Sequence, residues 1–318
     1  MSSVSIIIPV KPGGYVAACQ HLRKIIPDDP GYEIMLAEGN APSQQRNQAA
    51  REAVGDILYF LDDDSLIIPE NLAFCCDAMR DPAVAVVGGP SLTPVEDSWL
   101  QQLFGQALAS KFGSGAVSNR YRAYGEARKT TDKELILCNL AVRRSVFIDL
   151  NGFNECLYPN EENEFMERVT SAGYSLLHAP SMLVFRSQRH TLKAFIRQMF
   201  NYGRGRGQQT LITRSYSVTS FVPLFFVVYL VLSLIYINNL ILLSPLVIYI
   251  CAASVSSLSV LRRTRRLFSL LLLGIYPLMH VVNGVGLLWG LLSGRPYPVQ
   301  DSAIQVRKIK RLGESFPE

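Results

Sequence analysis

Acidic residues are missing from a long stretch of this chain. Residues 168–300 contain no aspartate or glutamate, although they carry 13 lysines and arginines. Residues 1–167 have the opposite balance, with 23 acids and 14 bases. The formal net charge of +5 therefore conceals an acidic part and a basic part. This division excludes a uniformly charged surface and predicts two regions with different surroundings.

Cysteine and histidine are scarce and have no metal-ligand spacing. Of the six cysteines only Cys75 and Cys76 are neighbours, and no Cys-x-x-Cys pair occurs. The pattern argues against a zinc framework and gives no reason to expect disulfides, so a reduced cytosolic compartment is predicted. Residues 1–10 have the pattern of a strand and lack the features of a signal peptide. We therefore expect the acidic part to lie in the cytoplasm.

Long uncharged runs dominate the basic part. Residues 218–237 and 240–261 carry no charge, and each run is long enough to cross a bilayer as a helix. Helices that are apolar on every face do not suit a soluble chain of this size, so a transmembrane hairpin is predicted. A third apolar segment, residues 267–292, is interrupted by four glycines and Pro277.

Arginines between the second and third apolar segments indicate the orientation. Basic loops stay in the cytoplasm, so the four arginines within residues 262–266 place the acidic part on that side. A straight third crossing would carry the basic tail, residues 296–318, to the outside. We therefore expect segment 267–292 to be re-entrant around Gly274–Pro277 or strongly tilted. The prediction is a multi-pass protein of the inner (plasma) membrane with its tail in the cytoplasm.

Strands alternate with helices in the acidic part. Apolar, β-branched runs at residues 4–10, 33–37, 56–61 and 83–87 predict strands, and the segments between them have helical patterns. Such alternation is typical of an α/β domain with a parallel sheet covered on both faces.

Three consecutive carboxylates, Asp62, Asp63 and Asp64, follow the third of these strands. Ligands of open α/β sheets bind at the carboxyl ends of the strands. Hard oxygen ligands at this position suit Mg²⁺ or Mn²⁺ that carries a diphosphate. The alternative is a solvated acidic turn that caps the next helix.

A second acidic cluster comprises Glu161, Glu162 and Glu164. Acids in the first turn of a helix complement the helix dipole, so the cluster also has a purely structural interpretation. Between the two clusters, residues 97–135 combine glycines with Arg120, Arg122, Arg128 and Lys129. This segment is either a mobile basic loop that closes over a phosphate-bearing substrate or an ordinary surface excursion.

An amphipathic segment connects the two parts. Leu192, Phe195, Ile196 and Met199 share one helical face, a pattern that suits a helix in the membrane interface or an ordinary core-facing helix. The run 203–207, Gly-Arg-Gly-Arg-Gly, is expected to be a loop whose arginines grip phosphate; the alternative is a basic linker that touches lipid headgroups.

Four elements in order give the chain a resemblance to a known family. They are the strand 5–10, Arg46-Asn47 with Asp62–Asp64, the segment from Asn139 through Gly152-Phe153 to Glu164, and Gln198–Gly207 before the apolar runs. Together they resemble the membrane-associated members of glycosyltransferase family 2. These enzymes transfer a sugar from a nucleotide-diphosphate sugar with inversion of its anomeric configuration. The resemblance is greatest to bacterial exopolysaccharide and O-antigen transferases.

The resemblance implies a GT-A fold at residues 1–190, with a Rossmann-like mixed sheet. An interfacial helix and Gly/Arg loop (191–214), an α-helical membrane region (215–295) and the tail would follow. It implies that Glu162 is the catalytic base and that Asp64, with Asp62, holds Mg²⁺ or Mn²⁺. The residues expected to contact the donor are Pro9, Glu38, Arg46, Asp62, Asp63, Arg204 and Arg206. Glu38-Gly39-Asn40-Ala41 and Pro9-Val10-Lys11-Pro12 depart from the family's usual motifs.

The same resemblance favours a UDP-sugar donor and a lipid-linked acceptor, with no nucleic acid involved. Processive synthases of this family carry Gln-x-x-Arg-Trp where this chain has Gln198-Met199-Phe200-Asn201-Tyr202, so addition of one sugar is expected. The alternatives are transfer to a bare polyprenyl phosphate and a catalytically inactive membrane scaffold of the same fold. A small channel is disfavoured because the apolar segments are few and contain no repeat.

Overall fold

The computed structural model describes residues 2–26, 31–296 and 304–316. The strands are β1 Val4–Val10, β2 Tyr32–Glu38, β3 Ile57–Leu61, β4 Leu66–Ile67, β5 Val84–Gly88, β6 Ser91–Leu92, β7 Arg128–Thr130, β8 Asn139–Arg143, β9 Ser175–His178, β10 Val184–Phe185 and β11 Gln305–Lys310. The α-helices are α1 Ala17–Ile25, α2 Pro42–Glu52, α3 Glu70–Ala78, α4 Trp99–Ala109, α5 Lys111–Ser114, α6 Arg144–Asp149, α7 Glu161–Ser171, α8 Leu192–Thr213, α9 Val218–Ile235, α10 Leu240–Thr264 and α11 Leu272–Leu292.

Eight strands form one mixed sheet in the order β11-β2-β1-β3-β8-β5-β9-β7. Strands β2, β1 and β3 are parallel, as the sequence predicts. Strand β8 lies antiparallel between β3 and β5, so the expectation of an all-parallel sheet was wrong and the mixed sheet is confirmed. A small second sheet contains β4, β10 and β6.

The core lies on both faces of the large sheet. Successive side chains of a strand point to opposite faces, so Tyr59 packs in one apolar cluster and Phe60 in the other. The second cluster contains Phe147, Phe153 and Phe165 around Phe60, with neighbouring ring centroids 5.0–5.5 Å apart. Burial on both faces explains why the central strands are nearly continuous apolar runs.

The C-terminal segment belongs to this sheet, where the sequence had predicted a basic tail. Strand β11 pairs antiparallel with β2, which would otherwise form the sheet edge. Lys308 Nζ lies 3.1 Å from Glu33 Oε2, and the buried Lys310 donates to the backbone oxygen of Tyr32 at 2.8 Å. The basic side chains therefore pair with acidic and carbonyl groups of the sheet, and pairing covers an exposed edge.

The chain divides into two compact units that differ from the predicted division at residue 190. The first unit contains the described parts of 1–92, 119–187 and 297–318, and the second contains 93–118 and 188–296. Residues 93–118 thus leave the sheet domain for the helical unit, where Phe104 stacks on Phe195 with ring centroids 4.1 Å apart. Much of the predicted basic loop 97–135 is helical, as α4 and α5.

Polar groups fasten the 93–118 excursion inside the second unit. His280 of α11 makes hydrogen bonds with Tyr249 of α10, at 2.8 Å, and with the backbone oxygen of Gly113, at 2.9 Å. Because both ring nitrogens of His280 are engaged, a structural role accounts for this polar residue in an apolar helix.

Three helices of the second unit are long and apolar enough to cross a membrane: Val218–Ile235, Leu240–Thr264 and Leu267–Leu292. Many large apolar side chains on α9 and α10 are exposed, as expected for surfaces that face lipid. These helices indicate a membrane-associated protein. Helix α11 runs without interruption through Gly274 and Pro277, so the predicted re-entrant reversal at that point was wrong.

The run of glycines and arginines at 203–207 is helical, and the prediction of a loop there was wrong. Helix α8 continues from Leu192 to Thr213, and Gly203 and Gly207 within it pack against the backbone of α11. A Cβ atom added at Gly203 would lie 2.0 Å from Asn283 O, and one added at Gly286 would lie 2.2 Å from Phe200 O. Small residues four apart on each helix, with Gly207 and Gly290 as the second pair, allow this close approach.

Substituting the packed glycines is expected to destabilise the helical unit. In Gly203→Ala and Gly286→Ala the new methyl group meets a backbone carbonyl that cannot rotate away, and overpacking of this kind costs about 1–3 kcal/mol. Gly274→Ala is the matched control, since its Cβ would meet no atom within 4 Å. Thermal unfolding in detergent measures the effect. Equal midpoints for all three variants would contradict close packing of α8 on α11.

Candidate active site

Strand β3 delivers three carboxylates to one end of the sheet. The strand is fully buried and ends at Leu61, so the chain emerges from the core at Asp62. A turn follows, in which Ser65 N donates to Asp62 O at 3.1 Å and Asp62 N donates to Ser65 Oγ at 3.2 Å. This turn holds the carboxylates at the carboxyl end of a parallel strand, as the sequence predicts.

Arg46 joins the two acidic clusters that lie about one hundred positions apart in the sequence. Its guanidinium donates to Asp62 Oδ1 at 2.7 Å and to Glu161 Oε1 at 3.2 Å. Arg46 is buried on α2, so both contacts are shielded from solvent and stronger than surface ion pairs. The arrangement places Asp62 and the start of α7 in one site.

Arg186 is a member of this site that the sequence analysis missed. It directly follows β10, and it lies 3.1 Å from Asp62 Oδ2 through Nη2 and 2.6 Å from Asp64 Oδ1 through Nε. The available signal was an arginine at the end of a short apolar run. That signal is weak, because only the tertiary structure shows that the run ends beside Asp62.

Glu162 lies in the first turn of α7, with its side chain 11% exposed. Arg120 Nη1 lies 3.7 Å from Glu162 Oε1, while the same guanidinium donates to the backbone oxygens of Asp132 and Lys133 at 2.6 and 3.1 Å. Arg120 therefore fixes the predicted base from a segment that is itself anchored. The neighbouring Glu161 is less accessible, with 2% of its side chain exposed.

The loop before α7 is held by Asn47, the neighbour of Arg46. Asn47 Nδ2 donates to Phe153 O at 2.8 Å, and Asn47 Oδ1 accepts from Phe153 N at 2.8 Å. Gly152 has φ +65°, and a Cβ there would lie 2.5 Å from Asn47 Oδ1. Backbone geometry therefore requires glycine at position 152, and the contacts of Asn47 hold the Gly152-Phe153 motif in the loop before α7.

Two further motif residues are structural. Asn139 accepts from Tyr59 Oη at 2.6 Å and donates to Met182 O at 2.7 Å inside the core. Arg143 donates to the backbone oxygens of Met79, Asp81 and Val84 after α3. Asn160 occupies the N-cap position of α7 in a left-handed conformation, and its side chain makes no capping hydrogen bond there.

The electrostatics of the site favour a bound cation. Burial raises the pKa of Asp63, and the carboxylates of Asp64 and Asp62 raise it further. Burial likewise raises the pKa of Glu161 to about 8, and the adjacent Glu162 adds to this effect while Arg46 opposes it. Added positive charge would therefore stabilise the ionised form of these groups.

The residues present fit a divalent ion that a diphosphate helps to hold. One guanidinium reaches both Asp62 and Asp64, so an oxygen of each points toward a common cation position. Among the described residues no group of three histidine, cysteine, aspartate or glutamate side chains is arranged to hold an ion. Mg²⁺ and Mn²⁺ are commonly bound by one or two carboxylates, with substrate phosphates and water as the other ligands.

A family model described as Glycosyl transferase family group 2 matches residues 57–292, most of the chain. The chain belongs to this family.

Two known proteins are similar to this member of family group 2. An N-acetylglucosaminyltransferase of Rhizobium leguminosarum bv. viciae is 24% identical over 200 residues, which is 60% of this chain. The matched part is 45% of that relative, so the chain spans about half of its length.

A solved structure shares the fold. Mannosyltransferase PcManGT from Pyrobaculum calidifontis, in complex with GDP-Man and Mn²⁺, has a TM-score of 0.54 and 16% sequence identity to this chain. The superposition covers 92% of this chain and 88% of the PcManGT chain. The expected GT-A fold is confirmed.

The other predicted donor contacts lie in different places of this family group 2 chain. Pro9 is near the carboxyl end of β1, and Glu38 ends β2, where it pairs with Arg307 Nη2 at 3.0 Å and accepts from Gly13 N at 3.2 Å. Arg204 and Arg206 are half-buried on α8 in the second unit. Their contacts with donor phosphate remain predictions.

Proposed function

We propose that this protein is an inverting glycosyltransferase. It moves a sugar from a nucleotide-diphosphate sugar to a membrane lipid-linked acceptor in the synthesis of a cell-surface polysaccharide or glycolipid. The observation that carries the proposal is the Arg46 bridge, which joins a metal-type carboxylate cluster to a second acidic cluster in one site. Family membership and the GT-A fold support the same chemistry.

In this proposal Glu162 removes the proton from the acceptor hydroxyl, which attacks the sugar from the face opposite the diphosphate. Arg120 keeps the Glu162 side chain in place. Asp62 and Asp64 would hold Mg²⁺ or Mn²⁺, which when bound offsets negative charge on the departing diphosphate. Arg46 orients Asp62.

Features of the second unit support a lipid-linked acceptor. Three helices suit a bilayer, and α8 carries Lys193 and Arg197 beside an apolar groove that it shares with α11. Residues 188–296 of this unit carry no acidic residue, so they suit an anionic lipid or headgroup. Processive synthases of the family carry arginine and tryptophan at the positions of Asn201 and Tyr202. In this chain Gln198 instead donates to Tyr202 Oη at 2.8 Å within α8. This difference supports addition of a single sugar.

The expected topology places both ends of the helical unit on one side of the membrane. Residue 187 precedes the 188–296 part of that unit and β11 follows it, and both belong to the sheet-containing unit, so we expect an even number of crossings between them. Helices α9 and α10 would supply two crossings. Helix α11 packs parallel to the charged helix α8, because Gly203 approaches Asn283 and Gly207 approaches Leu291. We infer that α11 lies with α8 in the membrane interface.

Epitope accessibility tests this topology. A tag inserted between Asn238 and Asn239 should be reached by antibody on intact spheroplasts, whereas a tag after Glu318 should be reached only after lysis. Detection of the C-terminal tag on intact spheroplasts would refute the even number of crossings.

Transfer by the purified full chain in detergent tests the activity. Labelled UDP- and GDP-sugars are offered with Mn²⁺ or Mg²⁺, and a bacterial lipid extract serves as acceptor. Label that enters the lipid fraction only with a divalent ion present is the expected result. Metal-dependent nucleotide binding with no transfer from any donor would favour the inactive scaffold.

A further inference from the structure

Arg186 occupies the position between the two carboxylates that are expected to hold the metal. Its Nε atom is 2.6 Å from Asp64 Oδ1 and its Nη2 atom is 3.1 Å from Asp62 Oδ2. Its side chain is 23% exposed, so the contacts are partly shielded from water. Arg186 directly follows β10, 122 positions after Asp64, and it has no part in the family motifs that the sequence displays.

Both carboxylate oxygens of Asp62 are engaged by arginines. Oδ1 accepts from the buried Arg46, and Oδ2 faces Arg186. Arg46 is also bonded to Glu161, so two acidic groups and burial keep it in place. The oxygens most readily released to a metal are therefore those that face Arg186. A divalent ion at those oxygens repels a guanidinium that stays beside it.

We propose that Arg186 is a built-in counter-cation that exchanges with the divalent metal. Before donor arrives, it offsets part of the negative charge of Asp62 and Asp64 and keeps their oxygens converged. When metal and nucleotide diphosphate bind, the guanidinium leaves these oxygens and pairs with phosphate, to which its planar fork is suited. Metal and nucleotide then bind cooperatively, because each makes the exchange favourable for the other. This inference rests on the proposed function.

Titrations of Mn²⁺ and of nucleoside diphosphate test the exchange. The full chain in detergent is titrated with Mn²⁺, followed by electron paramagnetic resonance, alone and with UDP or GDP. Nucleotide should tighten Mn²⁺ binding to the unaltered chain by at least about 5-fold, and Mn²⁺ should tighten nucleotide binding by the same factor. In Arg186→Gln, Mn²⁺ alone should bind at least about 5-fold more tightly than to the unaltered chain, and the mutual enhancement should shrink.

Two further variants make the result specific. Arg186→Lys keeps the charge but loses the fork, so its Mn²⁺ affinity should lie between those of the unaltered chain and Arg186→Gln. Exposed Arg189→Gln removes the same charge nearby and should leave both affinities unchanged. Thermal unfolding of each variant establishes that the compared proteins are folded.

The outcomes separate this inference from the proposed function. If nucleotide-dependent Mn²⁺ binding occurs and Arg186→Gln matches the unaltered chain, the exchange is refuted while the glycosyltransferase proposal stands. Weaker Mn²⁺ binding in folded Arg186→Gln without nucleotide would also refute it, since Arg186 would then only orient the ligands. Absence of nucleotide-dependent Mn²⁺ binding in the unaltered chain would overturn both.

Discussion

Asp64→Ala is expected to reduce sugar transfer by about 10³-fold or more and to abolish nucleotide-dependent Mn²⁺ binding. Loss of metal removes several kcal/mol of stabilisation from the charge on the departing diphosphate, and each 1.36 kcal/mol is tenfold in rate. The Asp64 side chain is 46% exposed, so its removal leaves no cavity in the core. Arg186 keeps its contact with Asp62, and the fold should therefore survive. Initial rates and Mn²⁺ titration of the purified variant measure both effects.

The matched control for Asp64 is Asp77→Ala. Asp77 lies on α3 and pairs with Arg80 at the surface, with 64% of its side chain exposed. The Asp77→Ala variant also loses a carboxylate and an arginine contact, but these lie outside the site. Its transfer rate should therefore remain within about 2-fold of that of the unaltered chain. Normal metal-dependent transfer by Asp64→Ala would exclude Asp64 as a metal ligand.

Glu162→Gln is expected to lower turnover by about 10²–10⁴-fold while donor affinity stays unchanged, because general base catalysis contributes about this factor. Glutamine has nearly the same shape as glutamate and can stay beside Arg120, whose Nη1 atom lies 3.7 Å from Glu162 Oε1, so the first turn of α7 should be preserved. It cannot remove a proton from the acceptor. Donor binding by calorimetry and single-turnover transfer distinguish loss of chemistry from loss of binding.

Glu164→Gln controls for the loss of a buried carboxylate in the same helical turn. Glu164 pairs with Arg168, at 2.8 Å on the same helix, and does not contact Arg120 or Arg46 in the part of the chain that the structure describes. Its turnover per folded molecule should stay close to normal. Near-normal turnover in Glu162→Gln would assign the catalytic base to another residue. So would a loss of turnover that occurs in Glu161→Gln but not in Glu162→Gln.

The sequence was sufficient for features that local patterns encode. The buried strand Ile57–Leu61 is a continuous apolar run, and Asp62–Asp64 could therefore be placed at its carboxyl end. The helices of the predicted hairpin are confirmed by α9 and α10, because length and apolarity decide whether a helix can span a bilayer. The division between an acidic and a basic part agrees broadly with the two units.

Only the tertiary structure decided which distant parts of the chain are in contact. Arg46 and Glu161 are 115 positions apart, and Arg186 and Asp64 are 122 apart. Such pairs leave no periodic signal, since hydrophobic patterning specifies which face of an element is buried but not which charged groups meet at its end. The C-terminal strand is a similar case, because its partner is the edge of β2 and its own sequence looks like a basic tail.

Glycine limits what the sequence alone can predict about residues 203–207. At 203–207 the sequence is compatible with a flexible loop and with a helix that another backbone approaches closely, since glycine permits both. Helix α11 decided between them by placing Asn283 O where a side chain at Gly203 would have to be. The sequence by itself determined the buried apolar strands, the acidic clusters and two helices long and apolar enough to cross a membrane. Packing between residues remote in the chain determined the site's arginines, the sheet edge and the α8–α11 contact.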